Sequence, residues 1–344
     1  MREKVAVLMS GGVDSSVAAL LLKEQGYDVV GLTMLNWSVE VCRKAEEVAR
    51  FLGIGHYVVD LRQDFRKTVI DYFCRSYEEG LTPNPCVVCN EFIKFGSVMR
   101  HAVGMGCRWV ATGHYARVET DEATGRYLLK RGIDTKKDQA YYLYRLKQDQ
   151  LARLLFPLGN MTKEQTKVVA REHGLPVAGT EESQEVCFIE GDYRDFLAAN
   201  GVHGFPGPIR NRQGELLGTH RGLPRYTVGQ RRGLGIRTGR AVYVLDLDVA
   251  SNTLVVGTEK ELYCKSLLAV QNNFIPFDSL AETLAVEAKV RYTAPAAHAR
   301  ISPVSRGIRV EFLHPQRAVT RGQSVVYYQG DVVIGGGVIA SAGE

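Results

Sequence analysis

A glycine- and serine-rich turn near the start of the chain is the first candidate for chemistry. The segment Ser10–Ser16 reads SGGVDSS and lies between an apolar run and a helical pattern. Glycines lack a Cβ, so such a turn can bring backbone N–H groups close to an anion. The serines add hydroxyl donors, and the following helix presents the positive end of its dipole. The segment predicts a phosphate-binding loop, with an ordinary strand-to-helix turn as the plainer alternative.

This loop is not a Walker loop, because it lacks the G-x-x-x-x-G-K-[ST] pattern and has no Lys to grip the β- and γ-phosphates. It resembles the SGGxDS loop of the PP-loop pyrophosphatases, which bind the pyrophosphate of ATP and adenylate a carbonyl or carboxyl oxygen. The resemblance implies that ATP is used and that Asp14 serves its Mg²⁺. The residues it assigns to the nucleotide here are Leu8, Met9, Ser10, Gly11, Gly12, Val13, Asp14 and Ser15.

Cysteines form the second candidate site. Cys86 and Cys89 form a C-x-x-C that directly follows two prolines. Cys187 comes about a hundred residues later, with polar residues before it and apolar residues after it. Because a helix N-terminus lowers the pKa of a thiol, we expect Cys89 in particular to be a ready thiolate. A C-x-x-C is also compatible with a redox pair, half of a zinc site or chance. Zinc is the weaker interpretation, since there is no second C-x-x-C and no evident paired His.

The other cysteines, and three neighbouring tyrosines, favour packing roles. Seven cysteines in a chain without an evident export signal argue against a disulfide framework. Tyrosines 141, 142 and 144 could stack on bases, but the leucines beside them favour packing. We therefore expect small buried or incidental side chains at Cys42, Cys74, Cys107 and Cys264.

Composition predicts a folded protein of two or three domains. The chain has 344 residues, 45% of them apolar, and contains no apolar run of about 18 residues. We expect a cytoplasmic protein with no membrane association. The net charge is only +5, but residues 201–240 carry eight arginines against one acid, Glu215. Such a run suits a phosphate backbone; the alternative is a solvated loop.

Alternating elements must position these residues. Short apolar runs alternate with helical patterns, which predicts an α/β fold with a doubly wound parallel sheet. Ligands bind such sheets beyond the carboxyl ends of the strands, where Ser10–Ser16 and the segment 112–114 would share one site. Thr162 and Gln165 predict a capping box for a later helix. The predicted strands are 4–9, 28–34, 56–60 and 108–112, and the helices are about 14–26, 40–53, 62–78 and 91–104.

Beyond Asn200 the texture changes to Gly, Pro and Arg, and then to β-prone runs. We expect a catalytic domain over residues 1–200, a central Arg-rich β domain over 201–268 and a C-terminal β-barrel over 269–344. A closed barrel would remove exposed strand edges.

Six ordered motifs, spread over nearly the whole chain, together resemble the tRNA-specific 2-thiouridylases of the MnmA type. They are Ser10–Ser16, Thr82–Asn90 running into Ile93–Phe95, Ala111–Arg117, Lys137–Gln139, Ser183–Ile189 and Tyr226–Leu234. The resemblance implies that ATP adenylates the C2 oxygen of the wobble uridine in the tRNAs for Lys, Glu and Gln. Sulfur then displaces AMP. The partners implied are tRNA and a persulfide sulfur donor protein, not DNA.

The resemblance also implies roles for individual residues. Cys89 matches the family's nucleophile and Cys187 the cysteine that carries a persulfide, the two becoming a disulfide after transfer. Met34 and Gly113 match nucleotide contacts. Asn84, Pro85 and position 86 match residues that touch the target base. The remaining matches to tRNA contacts are His114, Lys137, Asp138, Gln139, Arg291, Tyr292 and Gln323.

One departure leaves the sulfur chemistry open. The family usually has Asp where this chain has Cys86, which puts the role of that carboxylate in doubt. Cys86, Cys89 and Cys187 resemble instead the three ligands of tRNA thiolases that carry a [4Fe-4S] cluster. The sequence does not separate persulfide chemistry from cluster chemistry.

Two further functions compete. Another PP-loop enzyme could make an amide or a guanidine on a small metabolite, but that needs neither paired thiols nor an Arg-rich appendage. A tRNA-binding protein with a vestigial loop is the third hypothesis. The intact Ser10, Gly11, Gly12, Asp14 and Ser15 disfavour it.

Overall fold

The computed structural model describes residues 2–36, 38–179, 186–237 and 239–343. Its N-terminal part is built on a five-stranded sheet in which every neighbouring pair is parallel, in the order β3-β2-β1-β4-β7. The strands are β1 (Lys4–Leu8), β2 (Asp28–Leu35), β3 (Gly55–Asp60), β4 (Trp109–Ala111) and β7 (Leu154–Leu155), with β5 (Ala116–Thr120) and β6 (Tyr127–Arg131) forming a separate hairpin.

Helices cover both faces of this sheet. Val5 and Val7 of β1 are buried in one core, which includes helices Val13–Glu24 and Val39–Leu52. Ala6 and Leu8 are buried in the other core. Alternation along a strand sends neighbouring side chains to opposite faces, so the predicted doubly wound sheet is confirmed.

The second face is covered by two long helices, each interrupted by π-helical turns. The first consists of Arg62–Phe65, the π-helical Arg66–Ile70 and Asp71–Glu78; the second of Pro85–Val88, the π-helical Cys89–Val98 and Met99–Gly104. The remaining helices are Ala140–Leu143, Leu223–Arg225 and Glu259–Leu262, all 3₁₀, and Gln148–Leu151, Lys163–Glu172 and Tyr193–Ala199, all α. Thr162 and Gln165 form the predicted capping box of Lys163–Glu172.

Two β-rich units follow. The first is a small sheet in the order β10-β11-β8-β9, and the second is a sheet whose six C-terminal strands close into the predicted barrel through pairing of β12 with β17. The barrel order is β12-β15-β14-β13-β16-β17. The strands are β8 (Gly207–Asn211), β9 (Leu216–His220), β10 (Tyr243–Asp248), β11 (Thr253–Gly257), β12 (Tyr263–Phe274), β13 (Leu284–Lys289), β14 (Ala297–Val304), β15 (Gly307–Arg317), β16 (Ser324–Gln329) and β17 (Val332–Ala342).

The N-terminal hairpin joins the C-terminal barrel, which no pattern in the sequence predicted. Lys130 of β6 pairs with Val332 of β17, so β5 and β6 extend the barrel's sheet. Buried hydrogen bonds reinforce the junction. Asn273 Nδ2 donates to the Tyr144 carbonyl over 2.7 Å, and the Tyr141 hydroxyl donates to the Ser324 carbonyl over 2.8 Å. The barrel is therefore fastened to the catalytic part by buried polar contacts.

Each of the described helices is too short or too polar to cross a membrane.

Candidate functional site

The Ser10–Ser16 loop runs from the end of β1 into the first turn of helix Val13–Glu24. Gly11 has φ +69°, and a Cβ there would stand 2.5 Å from Lys44 Cβ, so only glycine fits. The Ser15 and Ser16 hydroxyls donate to the Gly12 carbonyl over 3.1 and 2.8 Å. These bonds hold the turn at the helix N-terminus, where backbone N–H groups and the dipole favour an anion.

The end of β4 packs against this loop. A Cβ on Gly113 would lie 2.7 Å from the Asp14 carbonyl carbon and 2.8 Å from Ser15 N. The topology thus brings together the two segments expected to share a site. Leu8 and Leu32 pair across β1 and β2, and Met34 lies two residues further along β2, at the same edge of the sheet.

Asp14 has a cationic partner that the sequence did not reveal. Lys163 Nζ lies 2.6 Å from Asp14 Oδ1, and the Tyr115 hydroxyl donates to the same oxygen over 2.9 Å. The Lys163 side chain is only 6% exposed. The loop has no lysine of its own, and helix Lys163–Glu172 supplies a positive charge beside the predicted phosphate loop. The sequence marks Lys163 only as the first residue after the N-cap Thr162, which gives no indication of a contact with Asp14.

These residues fit Mg²⁺ bound together with a nucleotide. Mg²⁺ is usually held by one or two carboxylates, the substrate's phosphates and water, rather than by an all-protein cage. Asp14 supplies one partly exposed carboxylate at a loop suited to phosphate. Among the described residues, no group of three or more His, Cys, Asp or Glu side chains is placed to hold a metal ion.

The C-x-x-C opens the helix that begins at Pro85. Cys86 lies in its first turn, and the Cys89 N–H donates to the carbonyls of Cys86 and Pro85. Burial raises the pKa of Cys86 to about 11 and that of Cys89 to about 12. The expectation that Cys89 is a ready thiolate is therefore wrong for this conformation, because desolvation of the sulfur outweighs its place near the helix N-terminus.

Cys187 belongs to the same electrostatic environment. The residue is exposed, yet partial desolvation raises the pKa of its thiol. A negative charge on Cys187 raises the pKa values of Cys86 and Cys89, and the Lys94 ammonium lowers those of all three. The three thiols and Lys94 therefore form one electrostatically coupled group. Within the predicted motif Ser183–Ile189, residues Ser183, Gln184 and Glu185 lie outside the described residues.

The cysteine arrangement does not fit an iron–sulfur cluster in this conformation. A [4Fe-4S] cluster needs its thiolate ligands gathered around one volume. Cys86, Cys89 and Cys187 belong to no metal-binding group in the described ranges.

The residues predicted to touch the target base lie beside the thiols. Asn84 and Pro85 are buried. The Gln323 amide donates to the carbonyls of Thr82 and Pro83 over 3.0 and 3.2 Å, so this predicted tRNA contact also fixes the approach to the C-x-x-C.

Asn90 is a further polar residue here, to which the sequence assigned no role of its own. Its Nδ2 donates to the Tyr142 carbonyl over 3.1 Å, whereas its buried Oδ1 finds no partner within the described part of the chain. Such a buried, unpaired acceptor is uncommon. It leaves one hydrogen-bond acceptor available next to Cys89.

Tyrosines join the catalytic part to the barrel beside these thiols. The rings of Tyr142 and Tyr292 stand 4.6 Å apart at 32°, and Lys289 Nζ lies 5.1 Å from the Tyr292 ring. Tyr141 and Tyr144 are fully buried, which confirms the predicted packing roles of those two. The Arg291 guanidinium donates to the carbonyls of Arg317 and Ala318.

The other predicted tRNA contacts are engaged within the protein. Asp138 is buried and accepts from the N–H groups of Gly132 and Ala140, each over 3.1 Å. Gln139 Oε1 accepts from Tyr115 N. Lys137 is half-buried, in the turn just before Asp138. Their contacts to RNA stay predictions.

His114 links the Ser10–Ser16 loop, from here on called the nucleotide loop, to the helix that begins at Pro85 and carries Cys86 and Cys89, from here on called the thiol helix. Its Nδ1 lies 2.7 Å from Thr112 Oγ1, and its ring packs 6.0 Å from that of Phe95 on the thiol helix. Desolvation, together with the charge of Lys94, holds the pKa of His114 well below its ordinary value. The imidazole is therefore neutral at pH 7, and it sits one residue after Gly113.

The Arg-rich segment forms an open cavity in the central domain. Arg231, Arg237 and Arg240 line it together with glycines, and its volume is about 510 Å³. Concentrated guanidinium groups on a glycine-rich loop suit phosphate oxygens.

Family models match the whole architecture. Residues 3–191 match a tRNA methyl transferase HUP domain, residues 194–258 a tRNA methyl transferase PRC-barrel domain, and residues 264–339 an aminomethyltransferase beta-barrel domain. The exact domain limits of 1–200, 201–268 and 269–344 stay predictions.

Curated relatives cover nearly the full chain. The tRNA-specific 2-thiouridylase MnmA of Syntrophomonas wolfei is 51% identical over 337 residues, covering 98% of this chain and 99% of that protein. The protein of the same name from Heliobacterium modesticaldum is 50% identical, covering 98% and 93%. That of Pelotomaculum thermopropionicum is 46% identical, covering 100% and 99%.

Proposed function

Because this chain belongs to the family of MnmA-type tRNA-specific 2-thiouridylases, we propose that it converts the wobble uridine of tRNA to 2-thiouridine. ATP adenylates the C2 oxygen and releases pyrophosphate; sulfur then displaces AMP from C2. We assign the tRNAs for Lys, Glu and Gln as substrates, a persulfide-carrying protein as sulfur donor, and the cytoplasm as the location, where tRNA is available.

One observation carries this proposal: the nucleotide loop and the thiol helix meet across two consecutive residues. Gly113 touches Asp14 and Ser15 of the loop, and His114 contacts Phe95 of the helix that begins with Cys86 and Cys89. An adenylated C2 carbon must stay close to its sulfur source, since it would otherwise be hydrolysed. The nucleotide loop and the thiol helix are therefore two half-sites joined by a short link. This supports activation of C2 and sulfur transfer in one pocket.

For the first half-reaction, the Ser10–Ser16 loop would hold the phosphates at the helix N-terminus. Asp14 would serve Mg²⁺, which supplies charge neutralisation on the phosphate oxygens when bound. Lys163 would orient Asp14 and add positive charge as pyrophosphate leaves. Leu8, Met9, Met34 and Gly113 would line the nucleotide's side of this edge.

For the second half-reaction, Cys187 carries the sulfur as a persulfide. Its terminal sulfur attacks C2, and the C2–O bond breaks with AMP as leaving group. Cys89 then gives up its proton to solvent and its sulfur attacks Cys187 Sγ; the S–S bond to the transferred sulfur breaks, and its electron pair stays with that sulfur. The products are 2-thiouridine and a Cys89–Cys187 disulfide.

RNA would be held along the same side of the molecule. The target base must leave its stack before its C2 atom can react, and Asn84, Pro85 and Cys86 would contact the flipped base. The residues assigned to the rest of the tRNA are His114, Lys137, Asp138, Gln139, Arg291, Tyr292 and Gln323.

The test is formation of 2-thiouridine by metal-free protein supplied with ATP, Mg²⁺, unmodified lysine tRNA and a persulfide donor, with iron and sulfide excluded and the product measured by mass spectrometry. Product without iron supports the Cys89/Cys187 route. Activity that appears only after an iron–sulfur cluster is rebuilt would overturn it. Cys187→Ser should adenylate the tRNA and release pyrophosphate without making 2-thiouridine, whereas Cys42→Ser, on the separate helix Val39–Leu52, should behave as wild type.

A further inference from the structure

The three-thiol arrangement leaves one cysteine without a part in the proposed sulfur transfer. The transfer ends with Cys89 and Cys187 joined as a disulfide, and Cys187 must become a free thiol before it can be loaded again. Cys86 is the third member of the coupled group and stands in the same helical turn as Cys89. Because the disulfide belongs to the proposed function, any part of Cys86 in regenerating the enzyme rests on that function.

Helix geometry places Cys86 next to Cys89. Residues three apart on a helix have Cβ atoms roughly 5–6 Å apart, somewhat more than a disulfide spans. The Cys89 N–H donates to the carbonyls of both Cys86 and Pro85, so a 3₁₀-type bond accompanies the α-helical bond at this turn. The α-helical segment ends at Val88 and a π-helical segment begins at Cys89, so the hydrogen-bond pattern already changes at this residue. Closing the remaining gap to disulfide distance requires a local change of this turn, at the residue where the hydrogen-bond pattern already changes.

The charges favour Cys86 as the attacking thiol once the disulfide has formed. Desolvation and a charge on Cys187 both raise the pKa of Cys86, while Lys94 lowers it. In the Cys89–Cys187 disulfide neither sulfur can carry a charge, so the repulsion from Cys187 disappears and the attraction of Lys94 remains. At a pH where Cys187 would otherwise be ionised, the pKa of Cys86 is therefore lower in the oxidised enzyme, and the exchange rate rises with the thiolate fraction of Cys86.

We propose that Cys86 is a resolving thiol that frees Cys187 after each turnover. Its thiolate attacks Cys89 Sγ, a Cys86–Cys89 bond forms, and the Cys89–Cys187 bond breaks with its electron pair going to Cys187 Sγ. The proton lost by Cys86 passes to solvent, and Cys187 leaves as a thiolate. An external dithiol then reduces the Cys86–Cys89 disulfide with two electrons and two protons and becomes a disulfide itself.

This exchange moves the oxidised bond from the surface into the helix. Cys187 is exposed whereas Cys89 is buried. After the exchange, the accessible thiol is free to receive the next sulfur from a donor protein, while the pair within the helix awaits a reductant.

The experiment is a single turnover with persulfide-loaded protein, ATP, Mg²⁺ and lysine tRNA, without added dithiol. The reaction is quenched with acid, alkylated with iodoacetamide and mapped by non-reducing peptide mass spectrometry. In the wild type we expect a Cys86–Cys89 disulfide and an alkylated Cys187. In Cys86→Ser, the disulfide is scored per molecule of 2-thiouridine formed, and we expect the Cys89–Cys187 disulfide to persist. Cys86→Asp, which carries the family's usual residue, should behave like Cys86→Ser, and Cys42→Ser like the wild type.

A second readout is reloading of the product enzyme by a fresh persulfide donor. Wild type should gain one sulfur atom on Cys187, and Cys86→Ser should gain at least tenfold less. Accumulation of only the Cys89–Cys187 disulfide in wild type, or normal reloading of Cys86→Ser, would overturn the resolving role while leaving the proposed function intact. Absence of 2-thiouridine in the wild-type first turnover would overturn the proposed function instead.

Discussion

Two neighbouring side chains hold the Asp14 carboxylate in place. Its Oδ1 is already held by Lys163 and by the Tyr115 hydroxyl, so the carboxylate is fixed before any ligand arrives. Fixed groups stabilise a developing charge without having to reorganise during the reaction. The ion pair between helix Lys163–Glu172 and the loop therefore sets the geometry of the nucleotide site.

Removing that charge should disable activation of the tRNA. Lys163→Met keeps most of the buried volume but leaves Asp14 without its cation, so we expect tRNA-dependent ATP/pyrophosphate exchange to fall by roughly a hundredfold, about 2.7 kcal/mol. tRNA affinity should change less than about twofold, because the proposed RNA surface is elsewhere. Lys167→Met, which removes an exposed lysine from the same helix, is the matched control. Equal exchange rates in Lys163→Met and the control would contradict the assignment.

The chemical role of a residue could be predicted from sequence only where its neighbours in sequence determine that role. The Ser/Gly turn carries its own signal, since loop, glycines and following helix are contiguous. Lys163 carries none, because its distance from Asp14 depends on the packing of two helices. The expected thiolate was wrong for a related reason: helix position can be read from sequence, but the burial that raises the pKa of Cys89 to about 12 cannot.

The segment that follows β4 connects the nucleotide loop to the thiol helix and sets the distance between them. Gly113 allows this strand to reach the backbone of helix Val13–Glu24, and His114 continues to the thiol helix. Packing this close leaves no volume for a side chain, so small changes here displace two elements together.

A single methyl group added at Gly113 should therefore push the nucleotide loop away from the thiol helix. In Gly113→Ala the new Cβ would meet the Asp14 carbonyl carbon at 2.7 Å, and we expect a loss of roughly 1–3 kcal/mol in the free energy of unfolding together with loss of ATP binding. Gly104→Ala is the control, because a Cβ there meets nothing within 4 Å. Thermal unfolding and calorimetric ATP titration measure both effects. Wild-type ATP affinity in Gly113→Ala would show that this close approach is dispensable.

The parallel sheet and the barrel could be predicted from sequence because their patterns are local. Alternating apolar runs and helices predict neighbouring parallel strands, and the predicted strand 28–34 is found as Asp28–Leu35. The β5–β6 hairpin was different. Its pairing partner, Val332, lies far away in the chain, and no local pattern in Tyr127–Arg131 indicates which sheet it joins.

For the whole molecule, the arginine-rich central domain would govern how strongly RNA is held. Binding that neutralises phosphates releases counterions and weakens as salt rises. The cavity lined by Arg231, Arg237 and Arg240 places three guanidinium groups together on one domain.

Replacing the cavity's arginines should flatten the salt dependence of tRNA binding. In Arg231→Ala/Arg237→Ala/Arg240→Ala we expect the slope of log K against log salt to decrease by roughly one for each phosphate that is no longer neutralised. The control replaces three ion-paired arginines of the catalytic domain, Arg43, Arg50 and Arg62, with alanine. Filter binding at several salt concentrations gives the slopes. An unchanged slope in the cavity variant would place the phosphate-binding surface elsewhere.

The buried fastening of barrel to catalytic part has a consequence for target choice. Asn273, Tyr141 and Gln323 bond across this junction to backbone carbonyls, so the barrel surface and the C-x-x-C stay at a constant separation. With the RNA held at the barrel by Arg291, Tyr292 and Gln323, the residues assigned to it above, the enzyme selects its nucleotide by its distance from that contact. An anticodon loop lengthened by one nucleotide would then present the wrong base to the thiols.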